Sequence, residues 1–389
     1  MHIHTVKPGD TIFKIARKYS VPPMKIIENN ELMNPDRLAV GQKLLILTPT
    51  RTYNVRGSDT LRRIADRFGV KYESLLSSNP YLGGKDKIYP GQILAIKYDN
   101  QSHGVASANG YYYKSTSDDR LSLVMPYLNY ITVSLGKRDG NKVNLIFDDT
   151  DVISQIKENK KIPLMRVYDD DIEFTEEYLD SLILLAKAHG YKGITIAAYR
   201  AMRENKSALE NFLMKLKKRM MEYDLLLFCE LDGNQDTKNS DICDGYVIMY
   251  EKSPLREIPT FRDGEAKMLT EYAETGESSK AYIEIPSFAY MGDEVITKDE
   301  AENIAYTSGK EILCDEDTGI CHFEFNKYRG GKREQVNVRY ESLENIKAKL
   351  ALAGELGYMG ICFDIMRIPT EYLMLFETMF SRPSFYPDM

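Results

Sequence analysis

The side chains with the most specific chemistry in this 389-residue sequence are carboxylates at the ends of short apolar runs. Glu230 and Asp232 close the run that starts at Leu225, Glu251 follows Gly245–Tyr250, Glu284 lies within Ala281–Pro286, and Asp364 follows Gly360–Phe363. Two carboxyls at a suitable separation are what cleavage of a glycosidic bond needs, one to give a proton and the other to attack or to activate water. The plainer reading of each is a solvated or paired charge at a strand end. The acidic runs Asp148-Asp149-Thr150-Asp151 and Asp169-Asp170-Asp171 suggest calcium, but neither has the glycine and terminal glutamate of an EF-hand loop. Both read as loop and helix caps. Five scattered histidines give no metal-ligand spacing, and no cofactor is expected.

These carboxylates need elements to carry them. Short β-rich runs alternate with helical stretches: Gly110–Tyr113, Tyr130–Leu135, Pro163–Tyr168, Gly193–Ala197, Leu225–Leu231, Gly245–Tyr250, Ala281–Pro286 and Gly360–Phe363. Helices such as Thr175–His189 and Lys206–Glu222 separate them. Strands with crossover helices predict an α/β fold, a TIM (β/α)8 barrel whose site gathers at the strand C-termini. Glu230, Glu251 and Asp364 would then share one mouth. Residues 287–340 read as a small α+β insertion before the last strand, with Cys314 and Cys321 flanking a hairpin tip. Tyr111-Tyr112-Tyr113 on the first strand offers rings to a sugar, although alternation turns at least one of them into the helix layer.

Composition narrows the function classes. Acidic residues number 58 against 51 basic ones, a net charge of -7, so no basic excess exists to neutralise nucleic-acid phosphates. At 43% hydrophobic, with 27 Tyr and 14 Phe, the chain can fill a sizeable core and is not a disordered one. No run approaches the roughly 18 apolar residues of a membrane span. Met1-His2-Ile3-His4-Thr5 lacks the basic-then-apolar layout of a signal peptide, so synthesis in the cytoplasm without export is expected. Five widely spaced cysteines without a CxxC pair read as thiols, with a Cys314–Cys321 cross-strand disulfide as the alternative.

The first hundred residues contain a repeat. Val6-Lys7-Pro8-Gly9-Asp10-Thr11 matches Val55-Arg56-Gly57-Ser58-Asp59-Thr60, Ile15-Ala16 matches Ile64-Ala65, Asn30 matches Asn79, and Gly41-Gln42 matches Gly91-Gln92. Each unit reads as strand, helix, helix, strand, with Asp10 and Asp59 as helix N-caps. The units occupy residues 1–48 and 51–98; a linker (99–108) leads to the barrel (109–389).

This pattern resembles the LysM module, a small βααβ domain that binds glycans containing N-acetylglucosamine, such as peptidoglycan and chitin. The resemblance implies a shallow sugar groove between the first strand–helix turn and the loop after the second helix. In the first unit the groove would comprise Gly9, Asp10, Thr11 and Ile12 facing Asn30 through Leu38. In the second it would be Ser58, Asp59, Thr60 and Leu61 facing Asn79, Pro80 and Tyr81. The second unit departs from Pro-Gly-Asp with Gly57-Ser58-Asp59. Two linked modules would gain by effective concentration.

The order and spacing of the remainder resemble glycoside hydrolase family 18, and the whole layout is similar to that of bacterial spore cortex-lytic N-acetylglucosaminidases. In the active family the fourth strand carries DGxxxDxE, whose Glu is the general acid and whose middle Asp positions the substrate's N-acetyl oxygen. In Tyr191–Tyr199 those three acidic positions read Lys192, Ala197 and Tyr199, and Ser181–Arg203 contains no Asp or Glu. General acid catalysis is worth about 10²- to 10⁴-fold, and a tyrosine hydroxyl titrating near 10 is a poor substitute. The run Met249-Tyr250-Glu251 resembles the end of the family's M-x-Y-D, which makes Tyr250 and Glu251 vestiges of N-acetyl recognition. Asp364 falls where the family has a Trp beneath the sugar, and this chain has no Trp at all.

The resulting reading is a glycan-binding protein of the bacterial cell wall or spore with an inactive barrel. Its partners would be peptidoglycan or another N-acetylglucosamine glycan and spore coat or cortex proteins, but neither nucleic acid nor a membrane. One alternative is an active glycosidase using Glu230, Glu251 and Asp364 as relocated acids. Another is a coat or cortex assembly protein whose barrel binds protein.

Overall fold

The computed structural model describes residues 1–99, 103–169, 171, 173–232, 242–249, 264–329, 332–381 and 383. Its first two units have the same frame. In the first, strands His2–Thr5 and Lys43–Ile46 pair antiparallel, with helices Ile12–Tyr19 and Pro23–Asn29 between them. In the second, strands Pro49–Asn54 and Ile93–Tyr98 enclose helices Leu61–Phe68 and Tyr72–Ser77. Ile12, Ile15 and Ala16 recur at helical spacing and bury one face against Leu44 and Ile46; Leu61, Ile64 and Ala65 do the same against Leu94 and Ile96.

The helix caps differ from the sequence expectation. Each helix starts one residue later, and its N-cap is Thr11 or Thr60, whose hydroxyl accepts from the amide of Lys14 or Arg63 at 3.3 Å. Asp10 and Asp59 close the preceding turn instead: Lys7 N donates to Asp10 Oδ2 at 2.8 Å and Arg56 N to Asp59 Oδ2 at 2.7 Å. A turn that folds the chain back onto its own carboxylate leaves the following threonine to take the orphan helix amides.

Among the described residues, eight parallel strands close a barrel: Ser107–Tyr112, Tyr130–Asp139, Ile162–Tyr168, Gly193–Ala197, Leu226–Asp232, Gly245–Met249, Ala281–Glu284 and Gly360–Asp364. The first strand pairs with both the second and the eighth, which completes the closure. It begins at Ser107, inside the segment expected to be linker. Ser107-Ala108-Asn109-Gly110 has turn composition, yet every residue is buried. Small side chains are demanded there, because a Cβ on Gly110 would lie 2.7 Å from Ile365 Cγ1 and 2.9 Å from Leu128 Cδ1. The second strand runs on to Asp139 and folds back through Lys142–Leu145, a hairpin the sequence did not announce.

The insertion after the seventh strand is a five-stranded antiparallel sheet with one helix, Lys298–Ser308, packed on it through Ala301 and Ala305. Thr297 and Glu300 form a capping box at its start. Cys314 and Cys321 lie directly opposite on adjacent strands and are joined by a disulfide, whereas Cys229, Cys243 and Cys362 are buried thiols.

The repeat units are docked on the barrel. Leu45, Leu47, Ala95 and Tyr98 belong to the same apolar cluster as the barrel's helix layer. Arg120 pairs with Glu31 at 2.9 Å, Lys43 with Glu344 at 2.8 Å, and Gln42 Nε2 donates to Glu302 Oε2 at 2.8 Å.

Candidate functional site

Two places carry the candidate residues: the turns of the repeat units and the interior of the barrel. In the first unit the groove expectation meets a firmly braced turn. Asp10 lies 3.0 Å from His4 Nε2, which sits 3.1 Å from Tyr19 Oη through its other ring nitrogen. Burial acts to raise the Asp10 carboxyl, but the Lys7 amide and His4 outweigh it and hold it below the usual carboxylate range. The Arg56 amide and the Tyr53 hydroxyl, the latter at 2.8 Å, do the same for Asp59.

Gly9, Thr11, Ser58 and Thr60 present an exposed edge beside these braced carboxylates. Ile12 and Leu61 are buried in their modules. Asn30 and Asn79 are buried too, and their amides tie each module together. Asn30 Nδ2 donates to the carbonyls of Ile26 and Leu45 while its Oδ1 accepts from Leu45 N; Asn79 repeats this with Leu75 and Ala95. Pro80 is buried and Tyr81 half-buried, its hydroxyl donating to Ile93 O at 3.3 Å. Met33, inside the expected wall Asn30 through Leu38, is 82% exposed. Sequence reasoning missed Phe13, 73% exposed one residue beyond the expected segment Gly9–Ile12; its signal was an apolar residue off the buried helical stripe.

Inside the barrel the fourth strand alternates as its sequence demands: Ile194 and Ile196 face the helices, while Ala197 and then Tyr199 face inward. Lys192 precedes the strand and is exposed. On the fifth strand Phe228 and Glu230 point inward. Glu230 is fully buried and accepts four hydrogen bonds. Tyr111 Oη (2.9 Å) and Arg166 Nε (2.6 Å) donate to its Oε1; Arg166 Nη2 (2.8 Å) and Tyr199 Oη (2.6 Å) donate to its Oε2. Burial acts to raise this carboxyl, but the Arg166 charge and bidentate bonds, helped by Tyr199 and Tyr111, hold it below its ordinary value. It is an anion with its acceptor positions filled, not a proton donor in waiting.

Arg166 was also missed, although an arginine in the middle of the apolar run Ile162–Tyr168 announces a buried partner. Tyr111 faces inward onto Glu230, Tyr112 packs in the helix layer, and Tyr113 stacks on Tyr111 at 6.5 Å. Asp364 turns back on its own loop, accepting from Met366 N at 2.8 Å, with Arg367 Nη1 at 3.5 Å; burial pushes its carboxyl up. Asp232 ends the fifth strand 3.9 Å from Arg203. Tyr250, Glu251 and Asp170 lie outside the described residues. Of the acidic runs, Asp148 accepts from Thr150 N and Oγ1, whereas Asp149 is buried 2.6 Å from both His189 Nδ1 and Tyr191 Oη. Among the described residues, no helix is long and apolar enough to cross a membrane.

The LysM domain profile matches residues 4–47 and 53–97. An endolysin of Bacillus phage B103 is 30% identical over 99 residues, and the cell wall-binding protein YocH of Bacillus subtilis is 33% identical over 109. Those matches cover 24% and 27% of this chain, and the chain spans 38% and 37% of the length of those relatives. The structure of the Bacillus cereus spore cortex-lytic enzyme SleL superposes with a TM-score of 0.74 at 20% identity, over 99% of this chain and all of that one. The chain therefore carries two LysM domains ahead of a barrel that shares the fold, insertion included, of a spore cortex-lytic enzyme.

Proposed function

We propose that this protein binds peptidoglycan or a related N-acetylglucosamine glycan through its LysM modules, at a bacterial cell wall or spore, and does not hydrolyse it. The two LysM matches and the likeness to a cell wall-binding protein support the binding half. The observation that carries the second half is the bond from Tyr199 to Glu230. The position matching the family's general acid holds a phenol, and that phenol is spent on a carboxylate already paired with Arg166. A substrate entering this barrel would meet neither a free acid at that position nor an Asp at Ala197 to place the N-acetyl group. Asp364, closed on its own loop, does not replace them.

Sedimentation with insoluble peptidoglycan tests the binding. The protein should pellet with it, and soluble N-acetylglucosamine oligomers should compete it off. Protein that stays in the supernatant at every glycan concentration would refute the reading.

A further inference from the structure

We infer that the two LysM modules have divided their work: the first carries the glycan affinity, while the second has given one groove wall to fastening the pair onto the barrel. This division rests on the glycan-binding reading above. Its evidence is the unequal fate of matched positions. Phe13 in the first module corresponds to Arg62 in the second, and Met33 corresponds to Leu82. Met33 is 82% exposed; Leu82 is 7% exposed and packs in its module's core. A large apolar side chain kept in water beside each of the two segments that wall the proposed first groove offers surface to the apolar face of a pyranose.

Contacts with the rest of the chain cover more of the second module's matching wall: Asn79, Pro80 and Leu82 are buried there, whereas in the first module Asn30 is buried, Glu31 is tied to Arg120 at 2.9 Å and Met33 stays exposed. Pro80–Leu82 forms a 3₁₀ turn in which Pro80 and Leu82 are buried and Tyr81 is half-buried. Lys25, from the first module, lies 4.6 Å over the Tyr81 ring and reaches Asn79 Oδ1 at 3.4 Å. Gly84 presses on the barrel helix Asp118–Val124 so closely that a Cβ would come within 1.9 Å of the Ser122 carbonyl oxygen. Just before this wall, Tyr127 Oη donates to Ser77 O at 2.6 Å and Ser77 Oγ to Glu377 at 2.8 Å. A glycan at Asn79–Tyr81 would have to displace these contacts, and that cost subtracts directly from its affinity.

Calorimetric titration of the full chain with chitotetraose separates the outcomes. The expected result is a stoichiometry near one per chain. Phe13→Ala with Met33→Ala should weaken binding about tenfold or more, and Arg62→Ala with Tyr89→Ala in the second module should change it less than about twofold. All four side chains are exposed, and thermal melts confirm that the variants fold. Two equivalent sites, or a loss confined to the second-module pair, would overturn the division while leaving glycan binding intact. Absence of any binding by the unaltered chain would sink the glycan reading and the division with it.

Discussion

The LysM turns and the barrel interior have opposite designs, although both are built around a low-titrating carboxylate. In the modules, Asp10 and Asp59 brace a turn and leave exposed residues beside it, among them Thr11 and Thr60, facing solvent. In the barrel, Glu230 collects four donors and leaves no acceptor position for a ligand. A carboxylate satisfied at the edge of a surface holds that surface in shape, whereas one satisfied in the centre of a closed barrel has its acceptor positions occupied. The difference teaches that an acidic residue at a strand end says little about chemistry until its partners are known.

The sharpest way to break the comparison is to remove one partner from the barrel. Arg166→Met strands a buried anion and should cost about 3–5 kcal/mol, read as a lower denaturant midpoint. Arg166→Met with Glu230→Gln should recover much of that loss; a double variant as unstable as the single would mean that the pair is incidental. Second in size is a pH effect with two opposite signs. Glu230 titrates below its ordinary value when folded, so its stabilisation is in place above that value and is lost as pH falls through the folded one.

Glu302, where the first module meets the insertion, behaves in reverse. Burial, with Glu371 and Asp299 and against Lys298, pushes it up to about 7. Its contribution is therefore complete below the ordinary glutamate range and is lost as pH rises through about 7. Glu302→Gln should flatten the stability profile between about pH 4.5 and 7 by an amount of the order of 3 kcal/mol. An unchanged slope would remove Glu302 from the account. Tyr199→Phe comes next, at about 1–2 kcal/mol for the lost bond to a buried charge, with no gain of hydrolysis. The smallest effect is Thr11→Ala or Thr60→Ala, about 1 kcal/mol each from the lost cap, visible in thermal melts.

The fold was legible because its signals are local. The short apolar runs Pro163–Tyr168 and Leu225–Leu231, and the repeated Ile15-Ala16 and Ile64-Ala65, follow from which faces must be buried. The site was legible only in part. The absence of Asp and Glu from Ser181–Arg203 can be read from the sequence, but the partner of Tyr199 cannot, since Arg166 and Glu230 meet only when the third and fifth strands share an interior. Asn30 and Asn79 carried a groove expectation because they follow a helix, yet their amides turn inward onto carbonyls many residues away. Ser107 and Ala108 fall in the expected linker because the small residues that let the first strand pass close to Gly360 of the eighth look, in composition, like a turn. Non-local contacts decided each of these.

Binding without cleavage is the centre of this account, and one assay addresses it most directly. The full chain is held with spore cortex peptidoglycan and with N-acetylglucosamine oligomers, and the soluble fraction is assayed by mass spectrometry for new reducing ends while bound protein is quantified in the pellet. The account predicts bound protein and no fragments above the buffer control. Release of N-acetylglucosamine-terminated fragments, abolished by Glu230→Gln or Asp364→Asn, would contradict it and return the barrel to the status of an enzyme.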